Sequence, residues 1–160
     1  MKPLKRAQIP PLFEGKQLHI PNLEHVDWAV LDFFGWIHPS GHIGYVVTPL
    51  ADEEDLRGIF LKRATRHKRK PRYEMCSWCN HVHKTNGTAM FSVMVKDSDE
   101  RRSFGNMICK NLDCSLRIRN LASDPPSYMN ENLELTHKIH RLQNSIYRWL
   151  YRSNYLYESN

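Results

Sequence analysis

Residues Tyr73–Gly87 read YEMCSWCNHVHKTNG, and Cys109–Cys114 read CKNLDC. The four cysteines of the chain therefore fall as Cys76-x2-Cys79 and Cys109-x4-Cys114, with 29 residues between the pairs. A redox dithiol uses one close pair, next to a βαβ unit. That would leave the other pair without a role in a chain whose pattern is not βαβ. A tetrahedral Zn²⁺ uses all four thiolates, two from each tight turn, at about 2.3 Å. The spacing predicts one structural zinc held by Cys76, Cys79, Cys109 and Cys114. His81 or His83 in place of one cysteine is the remaining alternative; otherwise both histidines are expected to be exposed polar residues. Asn80, directly after Cys79, suits a turn position with positive φ, which Asn tolerates better than most residues.

The elements around the cysteines read as strands and one long helix. Val30–Ile37 and Gly44–Thr48 are rich in β-branched and aromatic residues and flank the turn HPSGH. Gly58–Ala64 is a third strand. Thr88–Val95 and Arg101–Cys109 form a hairpin around the turn KDSDE. ADEED, residues 51–55, is a solvated acidic connection. SLRIRNLA after Cys114 supports one or two helical turns, stopped by SDPPS. From Asn130, read as an N-cap, Leu135, Ile139, Leu142, Ile146, Trp149 and Leu150 recur at spacings of three and four, one apolar helical stripe. Residues 1–25 carry Pro3, Pro10, Pro11 and Pro21 and read as an irregular arm. The expectation is an α+β fold: an antiparallel sheet, a treble-clef zinc finger over about 73–120 and a C-terminal amphipathic helix over about 130–152. All of these lie in a single domain, 26–160.

Charge is concentrated. The chain has 23 Lys+Arg, 17 Asp+Glu and a net charge of +6. Lys62–Arg72, KRATRHKRKPR, holds seven of the basic residues and no acid, so the rest of the chain is nearly neutral. Such a run reads as an electrostatic docking patch, with a solvated loop as the alternative, just as Trp78 reads either as a docking ring or as a ring packed over the knuckle. Lys62, Arg63, Arg66, Lys68, Arg69, Lys70 and Arg72, with the neighbouring rings of Tyr73 and Trp78, are the candidate partner surface. A cysteine-only shell closes the metal to substrate. The sequence has none of the zinc-deaminase, H-E-x-x-H, phosphate-loop or G-x-S-x-G patterns. No catalytic residue, small-molecule substrate or membrane span is expected, and four cysteines without disulfide signals fit a reducing, cytoplasmic setting.

LDFFGW, HIGYVVTP, the basic run ending in MCSWC, MICKNLDCSLRIR and the final helix together resemble the FBP family. These are elongation-factor-G-binding proteins with a C-terminal treble-clef zinc finger, typified by the FusB-type fusidic acid resistance proteins. The resemblance spans about residues 20–152 and places the family's zinc ligands on the same four cysteines. It implies a partner, elongation factor G and/or the ribosome with a possible rRNA contact, and a role in translation and fusidic acid tolerance. The alternative is a weakly specific RNA-binding zinc module. FusB-type proteins carry a helical bundle ahead of this domain; here only the irregular arm precedes it.

Overall fold

A computed structural model describes residues 1–13, 15–16, 18–50, 55–64, 72–96, 102–123 and 126–156. Residues 51–54 of the acidic connection, 97–101 in the turn after Lys96, 124–125 after Ser123 and 65–71 of the basic run lie outside the described residues.

Among the described residues, seven strands form two sheets. The larger is antiparallel with order β1-β2-β3-β6-β7, built from β1 (Phe34–Ile37), β2 (Ile43–Pro49), β3 (Leu56–Ala64), β6 (Thr88–Met94) and β7 (Ser103–Cys109). The smaller pairs β4 (Glu74–Met75) with β5 (Val82–His83). The expected strands and the hairpin are present. The first is shorter than its apolar run, because Trp28–Val30 forms a 3-10 turn capped by the Asp27 carboxylate, which accepts from the Ala29 N–H at 3.2 Å.

Both faces of the large sheet are covered, which explains why β2 is continuously apolar rather than alternating. Period-two alternation sorts its side chains. Val46, Ile59, Leu61, Phe91 and Val93 face the layer that holds the cysteines and the C-terminal helix; Phe34, Trp36, Tyr45 and Val47 face the other side. That other side is covered by the N-terminal arm. Its two 3-10 turns, Arg6–Gln8 and Pro10–Phe13, bury Leu4, Ile9 and Phe13 there. The Phe13 ring meets Trp36 and Tyr45 edge-on at 5.9 and 5.6 Å. A Cβ on Gly58 would run into the Leu12 backbone, so glycine there lets the second turn lie directly on β3. Irregular as its sequence looks, the arm is one wall of the core.

Helix α2 (Leu135–Arg152) buries Leu142, Ile146, Trp149 and Leu150, the C-terminal part of the expected stripe; Leu135 is exposed. The helix starts five residues after Asn130, with Glu134 in the cap position. A long-range ion pair sets this start. Arg141 forks onto the Glu131 carboxylate at 2.9 and 2.7 Å. On a helix begun at Asn130 those residues would stand about 15 Å apart along the axis. The segment before Leu135 instead runs back beside the helix. Among the described residues no helix is long and apolar enough to cross a membrane.

Candidate metal centre

The first pair of cysteines sits in the turn between β4 and β5. Asn80 has φ 58°, its N–H donates to the Cys76 carbonyl at 2.9 Å, and the Cys76 N–H donates to the His81 carbonyl at 3.0 Å. This is the tight knuckle that the C-x2-C spacing predicts. Ser77 docks it on β7, donating from both backbone N–H and Oγ to the Met107 carbonyl at 2.8 Å. The second pair comes from the end of β7, Cys109, and the first residue of the short helix α1 (Cys114–Ile118). Knuckle, β6–β7 hairpin and helix together form the expected treble clef.

The four sulfurs lie within 4.8 Å of one another, and all four cysteines are buried. Cys76 Sγ is 3.7 Å from Cys114 Sγ, and Cys79 Sγ is 3.6 Å from Cys109 Sγ. A tetrahedron with ~2.3 Å Zn–S bonds has edges of about 3.8 Å. The spacing is far longer than a disulfide's ~2.05 Å and fits one four-coordinate zinc. The backbone N–H groups of Trp78 and Cys109 both donate to Cys76 Sγ at 3.4 Å. Burial opposes ionisation of Cys76, yet hydrogen bonds from Cys109, Cys114 and Cys79 hold its thiol well below the usual value. Burial, then hydrogen bonds involving Cys109 and Cys76, pushes the Cys114 thiol well above it. A divalent cation is what lets all four buried sulfurs be thiolates at once.

Contrary to expectation, both histidines are buried. They lie under the small sheet with rings 4.5 Å apart. His83 Nε2 is 3.4 Å from Cys109 Sγ. Burial, then the Arg117 charge and the neighbouring His81, lowers the His83 pKa to about 4, so the ring is neutral. A metal-bound thiolate only accepts, which selects the Nε2–H tautomer. His83 thus supports a ligand rather than replacing one. Gly87 is closed to any side chain by the same ring, since its Cβ would overlap the imidazole. Replacing His83 by Phe keeps the ring and removes the N–H. Zinc retention is expected to weaken about 10–100-fold in a chelator competition, as for other outer-shell partners. Unchanged retention would reduce His83 to packing.

Further ties were not legible as site residues. Arg117 forks onto Asp113 at 2.9 Å through both Nε and a terminal nitrogen, bracing the turn before Cys114. Arg119 forks onto the buried Asp32, and Ser115 Oγ accepts the Asp32 N–H at 3.0 Å, pinning α1 to the start of β1. Arg141 donates to the Cys79 carbonyl at 3.1 Å, fastening α2 to the knuckle.

The expected partner surface divides. Trp78 is only 1% exposed and is not part of it. Its ring is turned inward, meeting Phe33 and Trp149 edge-on at 5.5 and 5.3 Å within the buried cluster that holds the cysteines. Lys62 and Arg63 end β3, opposite Ser92 and Phe91, and Arg63 donates to the Gly41 carbonyl at 3.1 Å. Arg72 is exposed and pairs with Glu74 at 3.6 Å; Tyr73 is 66% exposed. Arg66, Lys68, Arg69 and Lys70 lie outside the described residues.

The family model of the FBP C-terminal treble-clef zinc-finger matches residues 13–152. No curated protein matches the sequence significantly. Among solved structures, the fusidic acid resistance protein FusC superposes with a TM-score of 0.63 at 16% identity, over 96% of this chain and 60% of FusC. The chain thus spans well under two thirds of the length of that relative, and the likeness is one of fold.

Proposed function

Because this chain belongs to the FBP C-terminal treble-clef zinc-finger family, we propose that it is a non-enzymatic, cytoplasmic protein that binds translation elongation factor G, on or beside the ribosome, and modulates translation under fusidic acid. The observation that carries the reading is the closed, buried four-cysteine shell. Such a shell has no position for substrate and builds a scaffold instead. The resemblance to the FusB-type fusidic acid resistance proteins supports elongation factor G as the partner. The scaffold offers a docking face beside the metal. A groove of about 200 Å³ runs between the knuckle, α1 and the segment ahead of α2, edged by Asn80, Asn120, Met129 and Lys138.

The test is a calorimetric titration of purified elongation factor G with the zinc-loaded protein, repeated after chelation. A 1:1 complex that disappears with the metal is expected. Zinc-loaded protein that gives no complex, with or without the drug, would remove elongation factor G as the partner.

A further inference from the structure

We propose that the edge of the small sheet is a stacking platform for single-stranded RNA, with Tyr73 and Tyr128 as the ring surfaces and Lys84 as the adjacent phosphate contact. This surface adjoins the groove beside the metal, whose lining includes Ser127 and Met129 on either side of Tyr128, and the proposal does not depend on the elongation-factor reading.

The platform follows from the register of two short strands. Glu74 pairs with His83 and Met75 with Val82. Continued by one residue, this antiparallel register places Tyr73 opposite Lys84. Ser127 and Tyr128 add a third rung, since Ser127 Oγ accepts the Val82 N–H at 3.0 Å and the Tyr128 N–H donates to the Val82 carbonyl at 3.1 Å. Tyr128 is thereby held by main chain beside Tyr73, with the ring centroids 5.6 Å apart. The Lys84 ammonium lies 5.6 Å from the Tyr128 ring centre. Both rings are exposed, 66% and 45%. Glu74, the carboxylate of this strand pair, is turned inward, where Oε2 accepts from Thr88 Oγ1 at 2.7 Å. It leaves the solvent side of the sheet to the two rings, Lys84 and the exposed thioether of Met75.

Charge complementarity selects the occupant. The segment that leads into Tyr73 is the basic run, with seven Lys/Arg and no acid from Lys62 to Arg72. Exposed rings set next to backbone-neutralising cations are the combination by which single strands are held without sequence preference. Lysine is depleted from the cores of protein interfaces, which favours a nucleic-acid strand over a protein here. Here a lysine sits directly over one ring.

The experiment is fluorescence anisotropy of a labelled oligouridine of about ten nucleotides, within the usual footprint of such sites. The full chain is titrated with zinc bound, at two salt concentrations. Tyr73→Ala and Tyr128→Ala are each expected to weaken binding about tenfold or more, with Tyr73→Phe close to wild type. Lys84→Ala is expected to lower the salt slope by about 0.7, one phosphate on a single strand. Zinc content and circular dichroism check that each variant is folded. The proposal is overturned if the wild type does not bind the oligonucleotide. It is also overturned if both alanine variants bind it like wild type. The same holds if the alanines abolish binding of elongation factor G while leaving oligouridine binding intact, which would make the rings a protein contact.

Discussion

Chelation of the metal is expected to unfold this protein rather than merely silence it. Structural zinc in small cysteine sites contributes about 10–16 kcal/mol of apparent binding energy. Whole domains are stable by only about 5–15 kcal/mol. The metal term here acts on the core directly. Cys76, Cys79, Cys109 and Cys114 belong to the same buried cluster as Phe33, Leu61, Phe91, Trp78 and Trp149. Releasing the ion leaves four buried sulfurs within 4.8 Å of one another and loosens the turn that positions Trp78. Cys109→Ser and Cys76→Ser should be comparably damaging, because each removes one of the four sulfurs that close the shell. Acid should mimic chelation, since protons compete with zinc for thiolates and affinity falls as pH falls. Native mass spectrometry should find one zinc per folded chain, and near-ultraviolet circular dichroism should collapse on adding chelator. A folded, metal-free chain would refute the prediction, and a harmless Cys109→Ser would mean that three sulfurs suffice.

The metal site was legible because its signal is local. Two tight cysteine pairs fix four ligands, and Asn80 at positive φ fixes the knuckle. The strands were legible for the same reason: alternation and turn residues act over a few positions. What the sequence hid is long-range. Asp32 and Arg119 are 87 residues apart, and nothing in either neighbourhood announces the pair. The start of α2 is set by Glu131 reaching Arg141, a tertiary contact that overrides a good local N-cap. His81 and His83 look like surface residues in CNHVH, yet β5, with Ser127 and Tyr128 along its edge, encloses them. The arm at residues 1–25 lacks periodicity because its 3-10 turns are too short to show any, although the sheet beneath it needs a cover.

Trp78 is where local and tertiary readings diverge most, and it carries the second large effect. Its sequence position, beside Tyr73 and between two ligands, suits a docking ring; its burial makes it a core ring. Trp78→Ala should cost about 3–5 kcal/mol, the usual range for deleting a fully buried tryptophan. The loss includes two edge-on ring contacts, with Phe33 and Trp149, each worth roughly 0.5–1.5 kcal/mol beyond area burial. It should also loosen the metal, because Trp78 lies between Cys76 and Cys79 and the packing of its ring positions the knuckle backbone, whose residue-78 N–H donates to Cys76 Sγ. Tyr73→Ala, on an exposed ring, should stay within about 0.5 kcal/mol. Urea melts of the two variants with zinc bound separate the cases. A large fall in midpoint for Trp78→Ala beside an unchanged Tyr73→Ala assigns one ring to the fold and leaves the other for a partner. If Trp78→Ala instead melts like wild type and loses partner binding, the ring swings outward in solution and the docking surface reaches the knuckle.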